Sequence, residues 1–210
     1  MGTENKSSKK ENKNQSVKIA NNDKNILQRI ASFFVGTDNG NIDLLKILQE
    51  PQGTEEEQAA AIEELLKKGA KLKNIKNEDG ETALIMAINW GNVPVTEVLL
   101  KHNADINRAD NKGNTALMHA VMPHYTALQG FPPRYAASYK GHVQITEILI
   151  NAGADINRKN KRGQTALMIA EEELKTFSGK HSVRDDTVRN INDAQAIEKI
   201  IDMLKSAGAK

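Results

Sequence analysis

The chain writes one eight-residue phrase three times, as GETALIMA at Gly80–Ala87, GNTALMHA at Gly113–Ala120 and GQTALMIA at Gly163–Ala170. Self-similarity of this kind constrains a fold more than any composition can, because every copy must build the same local unit and pack against a copy of itself. The first two glycines stand 33 residues apart and the last two 50, so the second unit carries a surplus of 17 residues. Aromatic residues make up only 4% of the chain while Ala, Leu and Ile are plentiful, which favours packed helices over sheets.

The unit from Asn77 to Ala109 shows the local grammar. Gly80 supplies the left-handed backbone of a tight turn, and Thr82 is placed to cap a helix that begins at Ala83. Leu84, Ala87 and Ile88 then fall on one helical stripe, and Asn89-Trp90-Gly91-Asn92 breaks it. A second helix follows, with Pro94 tolerated in its first turn and Val95, Val98 and Leu99 at helical spacing. Asn103 stands where the later copies have Gly153 and Gly208, and both residue types take the left-handed conformation that ends a helix.

Taken together, D/N-x-x-G-x-T-A-L-x-x-A, then G-N/H, then the phrases NADIN (Asn103–Asn107) and GADIN (Gly153–Asn157), resemble the ankyrin repeat, whose period of 33 matches the spacing. The family's usual Thr-Pro-Leu-His is Thr-Ala-Leu-Ile/Met here, which keeps the helix and weakens one turn-stapling hydrogen bond. The resemblance implies an all-α solenoid of helix-turn-helix units with projecting hairpins. No such unit buries its apolar face alone, so the units must stack.

Repeats are expected at 77–109, 110–159 and 160–210, with a degenerate copy at 40–76 whose helices are GNIDLLKIL and the stretch ending AIEELLKKGAKLKN. Residues 25–39, including NILQRIASFFV, are expected to cover the N-terminal face as a capping helix, and the polar residues 1–24 to form a disordered leader. In the last unit Lys205 replaces Leu100 and Ile150 of earlier copies, which suits a terminal repeat whose outer face meets water.

The surplus lies between the helices of the second repeat, as an inserted loop at 123–139. MPHYTALQGFPPRYAASYKG holds all three tyrosines, one of four phenylalanines and three of five prolines. Two readings stay open: the rings tuck back as a small core, or Tyr125, Phe131, Tyr135 and Tyr139 anchor a partner. A second surplus within Glu171–Asp193 is polar and mixed in charge, and reads as a flexible surface loop.

The ankyrin resemblance further implies a concave binding face, lined by the hairpin turns and the residues before the inter-helix glycine. Carried onto this chain, that gives Glu78, Asp79, Glu81, Asn89 and Trp90 from one repeat. Ala109, Asn111, Lys112, Asn114, Tyr139 and Lys140 come from the next, and Lys159, Lys161, Arg162, Gln164, Glu172 and Glu173 from the third. Along the hairpins the charge runs from acidic through mixed to basic, a gradient that would orient a partner, although solvated hairpin tips also carry such charges by chance. Trp90, the sole tryptophan, is either an exposed hot spot or packing over a neighbouring hairpin.

Catalytic chemistry has no constellation here. The chain has no GxxxxGK[ST], GxGxxG or GxSxG motif and no cysteine, and the nearby pair His119 and His124 lacks a metal-site context. His119 and His142 are expected to serve structure, and no cofactor or metal is implied. With a net charge of +2 and no long apolar run, neither nucleic acid nor a membrane is an expected partner. What remains is a monomeric scaffold or adaptor binding an unknown protein, in the cytoplasm or, alternatively, secreted by a bacterium into a host cytosol, with a nucleic-acid-associated role or that of an enzyme subunit as the less favoured alternative.

Overall fold

A computed structural model describes residues 40–49, 53–122, 139–179 and 187–210. Its helices come in pairs: α1 (Gly40–Gln49) with α2 (Glu55–Lys67), α3 (Ala83–Asn89) with α4 (Val93–Lys101), α5 (Ala116–Ala120) with α6 (Tyr139–Asn151), and α7 (Ala166–Gly179) with α8 (Thr187–Ser206). A short 3-10 turn at Leu72–Asn74 leads into the first hairpin, where Lys76 and Thr82 form an isolated bridge. The array has two layers. The first helices pack in the order α1, α3, α5, α7, and the second helices in the order α2, α4, α6, α8.

The repeated phrase builds the same helix start each time. The Thr82, Thr115 and Thr165 hydroxyls accept hydrogen bonds from the N–H groups of Ile85, Met118 and Met168, each satisfying one of the orphan donors at a helix N-terminus. Behind each cap lies an apolar run. Leu84, Ile85 and Ile88 of α3, Leu117 and Met118 of α5, and Leu99, Ile145 and Leu149 of the second layer are all at most 1% exposed and belong to one continuous core. Asn103 ends α4 at φ 59°, and Gly153 and Gly208 end their helices at φ 83° and 92°, so the Asn-for-Gly replacement keeps the left-handed helix stop.

Two differences from the sequence reading have physical causes. The stretch within Glu171–Asp193, expected to be a loop, is mostly helix: α7 runs on to Gly179 and α8 starts at Thr187, leaving only 180–186 outside the described residues. Its EEELK run is polar yet rich in strong helix formers, and Leu174 packs against the core. The insertion also ends earlier than expected, since Tyr139 is the first residue of α6. Gly141 consequently sits inside a helix, whereas its sequence equivalent Gly91 turns the chain at φ 65°.

Lys205 is exposed and pairs with Glu171 at 3.2 Å, while Leu100 and Ile150 at the corresponding positions pack against the core. Met168 is 46% exposed, although Ile85 and Met118 at the same place in the phrase are fully buried. The helices carrying Ile85 and Met118 each have a further first-layer helix beside them, and α7 has none among the described residues. Residues 1–39, which include the expected leader and capping helix, and most of the inserted loop lie outside the described residues.

Candidate protein-recognition face

The three hairpins are closed by their first residue. Asn77, Asp110 and Asn160 each donate their backbone N–H to the carbonyl four residues further on: Asn77 N–H to Glu81 O at 3.1 Å, Asp110 to Asn114 at 2.9 Å and Asn160 to Gln164 at 3.0 Å. Their side-chain oxygens meanwhile accept from backbone N–H groups inside the turn, as when Asn160 Oδ1 takes those of Arg162 and Gln164 at 2.9 and 3.0 Å. This Asx geometry fixes a turn that glycine alone would leave loose.

Neighbouring hairpins are then fastened backbone to backbone. Asn111 N–H donates to Asp79 O at 2.9 Å, and Lys161 N–H donates to Lys112 O at 3.1 Å. The tips therefore form a continuous strip along which Glu78, Asp79, Asn111, Lys112, Lys161 and Arg162 are exposed.

Beneath the strip runs an unbroken chain of side-chain hydrogen bonds that crosses three repeats. Asn77 donates to Glu81 Oε2 at 2.6 Å, and Asn89 donates to Glu81 Oε1 at 2.9 Å. His119 meets Asn89 Oδ1 through Nδ1 at 2.9 Å and Asp110 Oδ2 through Nε2 at 3.0 Å. Asn114 donates to Asp110 Oδ2 at 3.2 Å, Asn160 donates to Asn114 Oδ1 at 2.9 Å and to Gln164 Oε1 at 3.3 Å, and Gln164 donates to Glu172 Oε2 at 2.9 Å. A connected polar network of this kind specifies one arrangement of the groups it joins, since breaking a link at its buried members, such as Glu81, His119 or Asn114, leaves a polar group short of a partner.

Burial pushes the Asp110 carboxyl up, but hydrogen bonds from His119 and from the N–H groups of Asn114 and Lys112, with the charge of His119, outweigh it and hold the group below the usual carboxylate range.

These contacts divide the residues that the sequence assigns to the binding face. Glu81 and Asn114 are buried, so they support the strip from below and do not line it, and half-buried Asn89 and Gln164 belong to the same network. Trp90 is half-buried: its indole N–H reaches back 42 residues to donate to the Leu48 carbonyl at 2.9 Å, tying α3 to α1. Tyr125, Phe131 and Tyr135 lie outside the described residues, and Tyr139 and Lys140 form the first two residues of α6.

Sequence reasoning passed over Asn77, Asp110 and Asn160, because Asn or Asp three residues before a turn glycine reads as mere turn chemistry. It also placed His119 in the packing of its helix, where it is 3% exposed, without seeing that both ring nitrogens are engaged. Among the described residues no group of three His, Asp or Glu side chains could hold a metal ion, and no helix is long and apolar enough to cross a membrane.

A two-layer stack of capped helix pairs with fastened hairpins defines a repeat protein of the ankyrin type. Family models described as ankyrin repeats match residues 33–131 and 134–170, and the chain belongs to the ankyrin repeat family.

It is 43% identical over 61 residues to an ankyrin repeat protein of Rickettsia felis, a match covering 29% of this chain and 20% of that protein. It is 38% identical over 76 residues to neurogenic locus notch homolog protein 1 of Xenopus tropicalis, and 39% identical over 67 residues to the human protein of that name. These matches cover 35% and 32% of this chain but only 3% of each Notch homologue. The chain thus spans about a fifth of the rickettsial relative's length and far less of the others. Repeats of this family generally mediate protein–protein interaction, and neither matching model is that of an enzyme.

Proposed function

We propose that the chain is a non-catalytic adaptor that binds a partner protein along the hairpin strip and the adjoining concave face. The observation that carries this reading is the fastening of the three hairpins through the backbone bonds at Asn111 and Lys161 and the polar chain from Asn77 to Glu172. A surface held this firmly loses little conformational entropy on binding, and here it presents six exposed polar and charged tip residues. The adaptor works as a monomer in the cytoplasm, with neither nucleic acid nor membrane as partner. The accessible part of Trp90, the loop residues Tyr125, Phe131 and Tyr135, and Tyr139 at the start of α6 extend the contact area.

The test is quantitative capture of partners from lysate by the intact chain, by Glu78→Ala/Lys161→Ala, and by a variant lacking residues 123–139, after circular dichroism shows equal helix content. Loss of a captured protein in the tip variant supports the strip as the site. Equal capture by the tip variant moves the site off the strip, and loss only in the deletion assigns it to the loop.

The match to a Rickettsia felis protein favours a second reading, in which the chain comes from a bacterium that delivers it into a host cell, where it binds a host protein. A reporter fusion that stays inside the bacteria during infection of host cells would count against it.

A further inference from the structure

The hairpin at 158–162 reads Arg-Lys-Asn-Lys-Arg, and all four basic residues are exposed. Among the described residues, none of the four head groups is held in an ion pair. The acids that could have neutralised them are engaged elsewhere. Glu172 accepts from Gln164 at 2.9 Å, Glu171 pairs with Lys205 at 3.2 Å, the Asp155 carboxylate accepts from Asn157 N–H at 3.2 Å, and Asp110 is bound to His119. The turn beneath them is rigid, because Asn160 is buried and its side chain is bonded to Asn114 and to two backbone N–H groups of the turn. Four cations outside any ion pair, carried on a preorganised turn, form a site for anions.

The same strip ends, two hairpins away, in exposed Glu78 and Asp79. A uniformly charged polyanion laid along it would meet repulsion there, while a peptide can carry both signs in sequence. Base stacking finds little support either, since Trp90 is half-buried and tied to Leu48.

Building on the adaptor reading above, we propose that Arg158, Lys159, Lys161 and Arg162 dock an acidic segment of the partner protein, a run of Glu and Asp side chains. Basic residues beyond that segment meet Glu78 and Asp79. The two arginines supply planar forks that take carboxylates in pairs, and the opposite charges at the strip's ends set the direction in which the segment lies.

Fluorescence anisotropy on the full chain tests this with three probes: a Glu-rich peptide ending in lysines, a Lys-rich peptide of equal length, and a single-stranded oligonucleotide. Lys161→Glu/Arg162→Glu is compared with Lys73→Glu/Lys76→Glu, which changes net charge equally at exposed positions near the acidic end. The expected result is binding of the Glu-rich peptide that weakens about tenfold in the first variant and less than about twofold in the second.

No binding of that peptide, or equal weakening in both variants, overturns the inference. Tighter binding of the oligonucleotide overturns it in favour of nucleic acid. A partner captured from lysate equally by the wild type and by Lys161→Glu/Arg162→Glu would leave the adaptor reading standing and this inference refuted.

Discussion

His119 Nε2 lies 3.0 Å from Asp110 Oδ2, with 3% and 5% of the two side chains exposed. On its other side, Nδ1 faces the Asn89 amide, whose Nδ2 already donates to the Glu81 carboxylate. Asn89 must therefore turn its oxygen to the ring. The ring thus lies between the Asp110 carboxylate and the Asn89 amide oxygen, joining its own repeat to the one before it.

Replacing this ring breaks the buried link that runs from Asp110 through His119 to Asn89 of the preceding repeat. His119→Leu fills much the same volume but removes the ring's hydrogen bonds to the Asp110 carboxylate and the Asn89 amide oxygen. The expected cost is about 3 kcal/mol, within the range for removing one partner of a buried pair. Urea unfolding followed by circular dichroism measures it. A loss under about 1 kcal/mol would show that water takes over both acceptors and that the network contributes little.

The depressed carboxyl of Asp110 makes stability depend on pH in a definite direction. Its folded value lies below its unfolded one, so its stabilising contribution is complete above the unfolded value of about 3.9 and is lost as pH falls through the folded value. Asp110→Asn keeps an oxygen for the N–H groups of Lys112 and Asn114 but cannot ionise. The stability gap between wild type and this variant should be widest near neutrality and should close as pH drops below about 4. A gap that stays constant from neutral pH into this range would mean the carboxylate charge plays no part.

Gly141, near the start of α6, packs against the turn at Gly91 that leads into α4. A Cβ there would come 2.7 Å from the Gly91 carbonyl oxygen, a backbone atom that cannot swing aside. Gly141→Ala should cost about 1–3 kcal/mol by forcing α4 and α6 apart. Gly153→Ala makes a useful contrast, because that Cβ would meet nothing within 4 Å and the only penalty is the left-handed backbone at φ 83°, about 1 kcal/mol. Thermal unfolding of the two variants should rank Gly141→Ala as the more damaging, and the reverse order would place the α4–α6 spacing in doubt.

Much of this architecture can be read from the sequence because its determinants are local. Thr82, Thr115 and Thr165 announce helices that begin at the next residue, and Asn103 announces a stop. The network beneath the strip could not be read in the same way. Asn89 and His119 are 30 residues apart, and their meeting depends on how one repeat is set upon the next. Polarity misled at Glu171–Asp193, where α7 runs on to Gly179 and α8 begins at Thr187 in a stretch that reads as a loop. Glu81 and Asn114 look like tip residues by position, and only their bonding partners show that they point inward.

Trp90 gives the sharpest test of how the array holds together. Trp90→Phe keeps an aromatic ring but removes the N–H that reaches the Leu48 carbonyl and part of the indole's contact area, so the cost should be at least about 1 kcal/mol. In a solenoid each repeat contacts only its neighbours, so the loss should be felt where α1 meets α3 and should fade along the stack. Hydrogen exchange resolves this: amide protection in α1 should fall in the variant while protection in α6 and α8 stays unchanged. Equal loss of protection in all helices would mean that the repeats unfold as one cooperative unit, with Trp90 contributing to global stability and not to a local clamp.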